Sequence, residues 1–251
     1  MPSERLARLR LLLGDDGLAA LEGSTVLVLG LGGVGSACAA ALARGGVGTL
    51  VVLDGDTVDE SNINRQTIAF VSTVGRPKAE LMREMIADIN PDARVVAAKQ
   101  FLTRGNVSEV LDALPRPDYV IDCIDTVSQK LAVYEWCAER ELPLLASMGA
   151  ANKLDPTKLK FADIRDTSFC PLSQVIRREC RVRGLTGLEV LFTDERPFKV
   201  EHTGARTKGE TLGSMSYMPP IMGQMLAGLA IRRLTGMEAM PKPPVLRPRM
   251  A

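Results

Sequence analysis

The stretch that decides the fold is residues 25–37, TVLVLGLGGVGSA, an apolar run that breaks into a glycine-rich turn and continues in small residues. The apolar part is short and rich in β-branched residues, which predicts a buried parallel strand, and the small residues after the turn predict a helix. A strand–turn–helix of this kind uses its glycines to turn the backbone sharply and to bring amide N–H groups to a phosphate. Because these amides lie at the positive end of a helix, the sequence predicts an anion-binding site. The glycines of the turn are Gly30, Gly32, Gly33 and Gly35.

A second predicted strand, residues 50–53, ends in a pair of acidic residues, Asp54 and Asp56. A carboxylate about 20 residues after a glycine turn is placed to hold a ribose hydroxyl in dinucleotide-binding folds. The two strands therefore predict a bound nucleotide, but these features fit NAD as well as other nucleotides. A glycine turn that only allows close packing of helix on strand is the alternative.

Composition limits the class of protein. The chain has 251 residues, 46% of them hydrophobic, and a formal net charge of +1. This length is near the upper limit for a single core. Since there is no bulk basicity, contact with a nucleic acid has to be local. The five cysteines are an odd number without a C-x-x-C pair, which predicts reduced thiols, no structural zinc site and a cytoplasmic protein.

Neither end of the chain predicts a membrane segment. Charges are spread through residues 1–10, which is not the pattern of a signal peptide. The longest apolar stretch, residues 217–231, contains two prolines and is shorter than the roughly 20 residues that a spanning helix needs. It favours a buried helix over shallow membrane association.

Strands and helices alternate through the first 150 residues. Further strands are predicted at residues 94–98, 117–125 and 144–147, with helical patterns between them. This alternation predicts an α/β fold with a doubly wound, mostly parallel, Rossmann-like sheet and a less regular C-terminal extension. We expect one domain over residues 1–240, divided into N-terminal helices (1–22), a nucleotide-binding core (23–152) and the extension (153–240), followed by a disordered proline-rich tail (241–251).

Charged residues gather where the predicted strands end. Asp125 closes the strand of residues 117–125, a polar cluster occupies residues 59–66, and Lys78 lies in the first turn of a helix. Ligands of open α/β sheets bind at this edge. Taken alone, Arg65 could be an ion-paired surface residue, Lys78 a solvated helix start and Asp125 a helix cap. Their joint arrival beside Asp54 favours a binding site instead.

Five motifs in order resemble the signature series of the E1-like (ThiF/MoeB/HesA) adenylating superfamily. They are GLGGVG at 30–35, DGD at 54–56, NINRQ at 62–66, GRPKAE at 75–80 and DCID at 122–125. Later stretches resemble the tRNA threonylcarbamoyladenosine dehydratase branch of that superfamily. They are SMGA at 147–150, KLDPT at 153–157, CPL at 170–172 and SYMPP at 216–220.

This resemblance implies ATP and Mg²⁺ as cofactors and assigns roles to named residues. The glycines of the turn, Asp54 and Asp56 are expected to bind the nucleotide, and Asp54 to hold its ribose. Arg65 and Lys78 are expected to neutralise phosphate charge, and Asp125 to bind Mg²⁺. Asn62 and Gln66 match positions that orient the nucleotide and the acyl group. Arg8 matches an arginine that reaches the phosphates from the other protomer of a homodimer, although Arg5 and Arg10 are close enough to replace it.

The branch implies a reaction on N6-threonylcarbamoyladenosine at position 37 of tRNA, in which ATP converts a carboxylate to an acyl-adenylate and a ring then closes. A sulfur-relay protein is a further possible partner. One rival is an activator of a ubiquitin-like sulfur-carrier protein, although many such enzymes carry paired C-x-x-C motifs that this chain lacks. The other rivals are an NAD-dependent oxidoreductase, which gives no role to Arg65 and Lys78, and a pure nucleotide-binding module.

A basic helix is the candidate surface for tRNA. The helical pattern of residues 172–182 and its end carry Arg177, Arg178, Arg181 and Arg183, and Lys199, Arg206 and Lys208 follow. These residues could form a phosphate-contacting patch, and a solvated helix face is the alternative.

Overall fold

The computed structural model describes residues 4–200 and 212–247. Seven of its helices are α-helices of at least six residues: α1 Ala7–Glu22, α2 Gly33–Arg44, α3 Lys78–Ile89, α4 Val107–Asp112, α5 Val127–Glu139, α6 Pro171–Arg183 and α7 Met218–Leu234. The strands are β1 Thr25–Leu29, β2 Thr49–Leu53, β3 Arg94–Ala98, β4 Tyr119–Asp122, β5 Leu144–Ser147, β6 Leu159–Asp163, β7 Leu185–Thr186, β8 Glu189–Thr193 and β9 Val245–Leu246.

Seven strands form one sheet in the order β3-β2-β1-β4-β5-β8-β6. All neighbours pair in parallel except β6 and β8, which are antiparallel. The prediction of a doubly wound, mostly parallel α/β sheet is therefore confirmed. The chain runs from β1 outward to β3 and then returns to place β4 on the other side of β1. This reversal creates a crevice at the carboxyl ends of β1 and β4, where open sheets bind their ligands.

Both faces of the sheet are buried. Along β1, Val26 and Val28 belong to a core cluster with side chains of α2, α3 and α7, whereas Leu27 and Leu29 belong to a cluster on the opposite face with α4, α5 and α6. This double burial explains why β1 is continuously apolar instead of alternating with polar residues.

The long apolar stretch near the C-terminus forms α7, which packs against α2. Met222, Leu226 and Ala230 are fully buried on it, as expected for an internal helix. Within the described ranges, no helix is long and apolar enough to cross a membrane.

Part of the C-terminal tail forms a short strand. Val245 and Leu246 form β9, which pairs antiparallel with β7, so this part of the predicted disordered tail is held by backbone hydrogen bonds to residues 185–186. The pairing partner lies about 60 residues earlier, which composition alone does not reveal. Residues 248–251 of that tail lie outside the described part of the chain.

A buried ion pair lies under the end of β4. Lys130 Nζ of α5 is 2.6 Å from Asp122 Oδ2, and both side chains are fully buried. The other oxygen, Asp122 Oδ1, accepts the N–H of Ile124 at 3.0 Å. This pair fixes α5 against the strand end from which Asp125 follows.

Removing one member of the pair should destabilise the fold because it leaves the other charge buried without a partner. We expect Lys130→Met to lower the free energy of unfolding by about 3–5 kcal/mol. The double variant Lys130→Met/Asp122→Asn, which removes both charges, should recover part of that loss. Urea denaturation of the three proteins measures this, and a double variant no more stable than Lys130→Met would contradict the prediction.

Candidate active site

A cavity of about 670 Å³ opens at the carboxyl ends of the central strands. Nearly all residues that the sequence predicts for the nucleotide line this one cavity. They are Gly30, Gly32, Gly33, Asp54, Asp56, Asn62, Arg65, Gln66, Lys78 and Asp125. Since these residues come from five separate segments, their convergence is a property of the fold. Gly35 and Arg8 are not part of the cavity wall.

The glycine turn is built by close backbone contact. Gly30 has a positive φ of 82°, a conformation that side chains disfavour. A Cβ on Gly35 would lie 1.7 Å from the carbonyl oxygen of Gly30, so only glycine permits the turn to close. Gly35 therefore shapes the cavity without lining it.

Asp54 ties the end of β2 to this turn. Its Oδ2 accepts the N–H of Leu31 at 2.6 Å, and its Oδ1 accepts the N–H of Asp56 at 2.8 Å. Burial raises the pKa of Asp54, and the two backbone N–H groups partly oppose that shift. The carboxylate remains on the cavity wall, at the position that dinucleotide folds use for a ribose.

Two cations reach the cavity from different segments. Lys78, the first residue of α3, is buried, and its Nζ is 3.3 Å from Asp56 Oδ2. Arg65 is half-buried, and its Nη1 donates to the carbonyl of Ser61 at 3.1 Å and to Asn64 Oδ1 at 3.0 Å. Among the described residues, Arg65 forms no ion pair. A polyanion bound in the cavity would supply negative charge to balance these two cations.

Two amide side chains complete the nucleotide side. Gln66 is buried, and its Oε1 has no hydrogen-bond partner in the described structure. Buried polar atoms are normally paired, so this oxygen is suited to accept a hydrogen bond from a ligand. The Asn62 amide, in contrast, already has an intramolecular partner, because its Oδ1 accepts the N–H of Asp59 at 3.2 Å. The glycine cradle and the unpaired Gln66 oxygen together fit a nucleotide.

Asp125 is exposed on the cavity wall, and its Oδ1 accepts a long hydrogen bond of 3.4 Å from Thr126 Oγ1. Within the described residues, no group of three or more His, Cys, Asp or Glu side chains is placed to hold a metal ion. Mg²⁺ is commonly bound by one or two carboxylates together with phosphate oxygens and water. The donor chemistry here fits a nucleotide-bound Mg²⁺ held by Asp125.

Phe101 and Lys153 are among the wall residues that were not predicted as site residues. Phe101 is half-exposed, and its ring occupies the space that a side chain on Gly55 would need. Lys153 is buried, and its Nζ donates to the carbonyls of Phe169, at 3.1 Å, and of Glu195. Burial lowers the pKa of Lys153. Both residues follow a strand end by a few positions, which is the signal that could have found them.

The arginines predicted to contact tRNA differ in their surroundings. Arg177 Nη1 donates to the carbonyl and the hydroxyl of Thr167, at 2.8 and 2.7 Å. Arg183 pairs with Glu135 at 2.8 Å. These two arginines therefore hold the helix to its neighbours.

The other predicted contacts are more accessible. Arg178 and Arg181 are exposed, and Arg178 pairs with Glu179 at 3.1 Å. Lys199 is also exposed, whereas Arg206 and Lys208 lie outside the described residues. Arg8 is exposed on α1.

Comparisons with known proteins agree with this geometry. The ThiF family model matches residues 4–250. A Bacillus subtilis (strain 168) tRNA threonylcarbamoyladenosine dehydratase is 40% identical over 241 residues, covering 92% of this chain and 94% of that protein. The sulfur carrier protein ThiS adenylyltransferase of Escherichia coli (strain K12) is 34% identical, covering 71% of this chain and 72% of that protein.

A solved structure shares the fold over almost the whole length. The crystal structure of E. coli tRNA N6-threonylcarbamoyladenosine dehydratase in complex with ATP superposes with a TM-score of 0.84 at 30% sequence identity. The match covers 93% of this chain and 95% of the E. coli chain. Matched along nearly all of its length by the family model and by these relatives, the chain belongs to the ThiF family.

Proposed function

We propose that the chain is an ATP-dependent dehydratase that cyclises N6-threonylcarbamoyladenosine at position 37 of tRNA in the cytoplasm. The observation that carries the proposal is the cavity in which Arg65, Lys78, Asp54 and Asp125 meet at the glycine turn. The 40% identity to the B. subtilis dehydratase over most of both chains supports the choice of substrate.

ATP binds with its phosphates at the glycine turn and its ribose at Asp54. The backbone amides at the start of α2 face the phosphates, as helix N-termini do for anions. Asp54 accepts hydrogen bonds from the ribose hydroxyls, and Gln66 Oε1 accepts one from a donor of the ligand. Asp125 would hold Mg²⁺, and the bound ion would neutralise phosphate charge.

In the first step, a carboxylate oxygen of the threonyl group attacks the α-phosphorus of ATP. A new P–O bond forms, the bond to the β-phosphate oxygen breaks, and pyrophosphate leaves. Lys78 and Arg65 stabilise the charge on the phosphoryl oxygens. Groups that stabilise developing charge in this way typically contribute about 100- to 1,000-fold in rate.

In the second step, the carbamoyl group of the same substrate attacks the activated carbonyl. AMP leaves with the former carboxylate oxygen, the carbamoyl group loses a proton, and a five-membered ring closes. The nucleophile belongs to the substrate, so the enzyme needs none. Accordingly, the thiol of Cys123 on the cavity wall is a poor nucleophile, because burial raises its pKa to about 12.

A homodimer completes this proposal, with Arg8 of each protomer reaching the phosphates of the other. Arg8 lies on α1 outside its own cavity wall. Leu11 and Leu12 on the same helix are 86% and 76% exposed, which is unusual for adjacent leucines and favours a covered surface. The partner that covers it would be a second copy of the chain.

A second candidate function uses the same cavity. The 34% identity to the ThiS adenylyltransferase favours an enzyme that adenylates the C-terminus of a sulfur-carrier protein. A sulfur-relay protein remains a proposed further partner of either enzyme. The first chemical step is the same in both cases. Only the acceptor carboxylate differs.

The proposal is tested by incubating the protein with ATP, Mg²⁺ and tRNA that carries N6-threonylcarbamoyladenosine, followed by digestion and mass spectrometry of the nucleosides. We expect the modified adenosine to lose the mass of one water.

Lys78→Met should slow this conversion by about 100-fold or more, because a stabilising cation is lost. Lys242→Met, on an exposed lysine outside the cavity wall, serves as the control.

An unchanged nucleoside mass together with ATP–pyrophosphate exchange on a sulfur-carrier C-terminus would transfer the assignment to the second candidate. The absence of both activities would exclude an adenylating enzyme.

The tRNA surface yields a separate prediction. Replacing Arg178 and Arg181 with alanine should weaken tRNA binding and flatten its dependence on salt, because exposed arginines release counterions on contacting phosphates. The slope of log affinity against log salt should fall by about 1–2, at about 0.7–0.9 for each phosphate that the variant no longer neutralises.

ATP affinity should stay unchanged in this variant, since α6 arginines do not line the cavity. Filter binding of tRNA at several salt concentrations measures the slope. An unchanged slope would show that the exposed arginines of α6 do not contact tRNA.

A further inference from the structure

Residues 213–217, which we call the strap, link the segment that follows β5 to the loop that carries Arg65, and both segments line the cavity. At one end, Gly213 and Asn152 exchange two hydrogen bonds. Asn152 N donates to the Gly213 carbonyl at 2.8 Å, and Gly213 N donates to Asn152 Oδ1 at 2.7 Å. At the other end, the Tyr217 hydroxyl donates to the carbonyl of Leu154 at 2.8 Å. The strap is thus tied twice to the segment that follows β5.

The middle of the strap is tied to the nucleotide side through Asn64. Asn64 Nδ2 donates to the carbonyl of Ser214 at 3.0 Å, while Asn64 Oδ1 accepts from Arg65 Nη1 at 3.0 Å. The two ends of the amide cannot be exchanged. A rotated amide would place its NH₂ against the guanidinium and its oxygen against a carbonyl, and both contacts would be repulsive.

The bonds that hold Arg65 leave the rest of its guanidinium for a ligand. In the described structure, only Nη1 is bonded to protein atoms, and both acceptors are uncharged oxygens, from Ser61 and Asn64. The Nε and Nη2 groups keep the geometry of a fork that suits a phosphate or a carboxylate. The direction of that fork depends on the two acceptors.

We propose that Asn64 is a positioning residue that aligns the Arg65 guanidinium with the reacting groups by linking it to the strap. The strap is in turn fixed by Asn152 and Tyr217 to the segment that follows β5, which also lines the cavity. Arg65 is therefore oriented through a segment that is also bonded to the residues after β5, which couples these two parts of the cavity wall. This inference rests on the catalytic role proposed for Arg65.

The proposal predicts a loss of rate without a loss of nucleotide binding. Displacement of a positioned group by about 1 Å can cost up to about 100-fold in rate. We expect Asn64→Ala to slow single-turnover adenylation of modified tRNA by about tenfold or more. ATP affinity should stay within about twofold, and the melting temperature should be nearly unchanged, because both bonds of Asn64 lie near the surface.

Asn64→Asp separates the two contacts. Its carboxylate keeps the acceptor for Arg65 but repels the Ser214 carbonyl, so we expect it to be about as slow as Asn64→Ala. A normal rate for Asn64→Asp would overturn the link to the strap. Arg232→Ala is the matched control at saturating ATP, because Arg232 also makes two exposed side-chain hydrogen bonds, to Glu238, but neither residue lines the cavity.

A double-mutant cycle tests whether Asn64 acts through Arg65. In an Arg65→Ala background, Asn64→Ala should cause no further loss of rate. Independent losses from the two substitutions would overturn the proposal while leaving the proposed function intact. A normal rate for Arg65→Ala itself would instead refute the catalytic role of Arg65, and the inference with it.

Discussion

The double hydrogen bond from the backbone to Asp54 is the interaction on which the site depends. One oxygen of this carboxylate holds Leu31 in the glycine turn, and the other holds Asp56 after β2. The first turn of α2 can pack this close to the glycine turn only because Gly35 has no Cβ, which would overlap the Gly30 carbonyl oxygen. The contact sets the direction of the amides at the start of α2, and therefore the place where a phosphate can bind.

Positive charge is then brought to that place from outside the turn. Lys78 is the first residue of α3, and Arg65 lies in the loop that follows β2. Lys78 has one partly exposed carboxylate partner, and Arg65 is held by neutral oxygens. Since neither cation is buried in a strong ion pair, both can interact with a triphosphate. The buried Lys130–Asp122 pair, by contrast, is fully enclosed and joins α5 to the end of β4.

Much of the fold could be predicted from residues 25–37, because a continuously apolar strand followed by glycines has few other uses. The rule that ligands bind at strand ends also placed Asp54 and Asp125 correctly on one cavity. The sequence could not reveal Asn64 as a connecting residue, since its partner Ser214 is 150 positions away. The sequence also could not show which α6 arginines are exposed and which are bonded to neighbouring segments. Tertiary partners on other segments, Thr167 and Glu135, commit Arg177 and Arg183 to structure.

In the proposed reaction, an oxygen of the substrate carboxylate attacks the α-phosphorus of ATP. Isotope transfer tests it most directly, using tRNA whose threonylcarbamoyl carboxylate is labelled with ¹⁸O, followed by mass spectrometry of the nucleotide products. The proposed chemistry predicts one labelled oxygen in AMP and none in pyrophosphate. Label in inorganic phosphate with ADP as the product, or AMP without label, would contradict it.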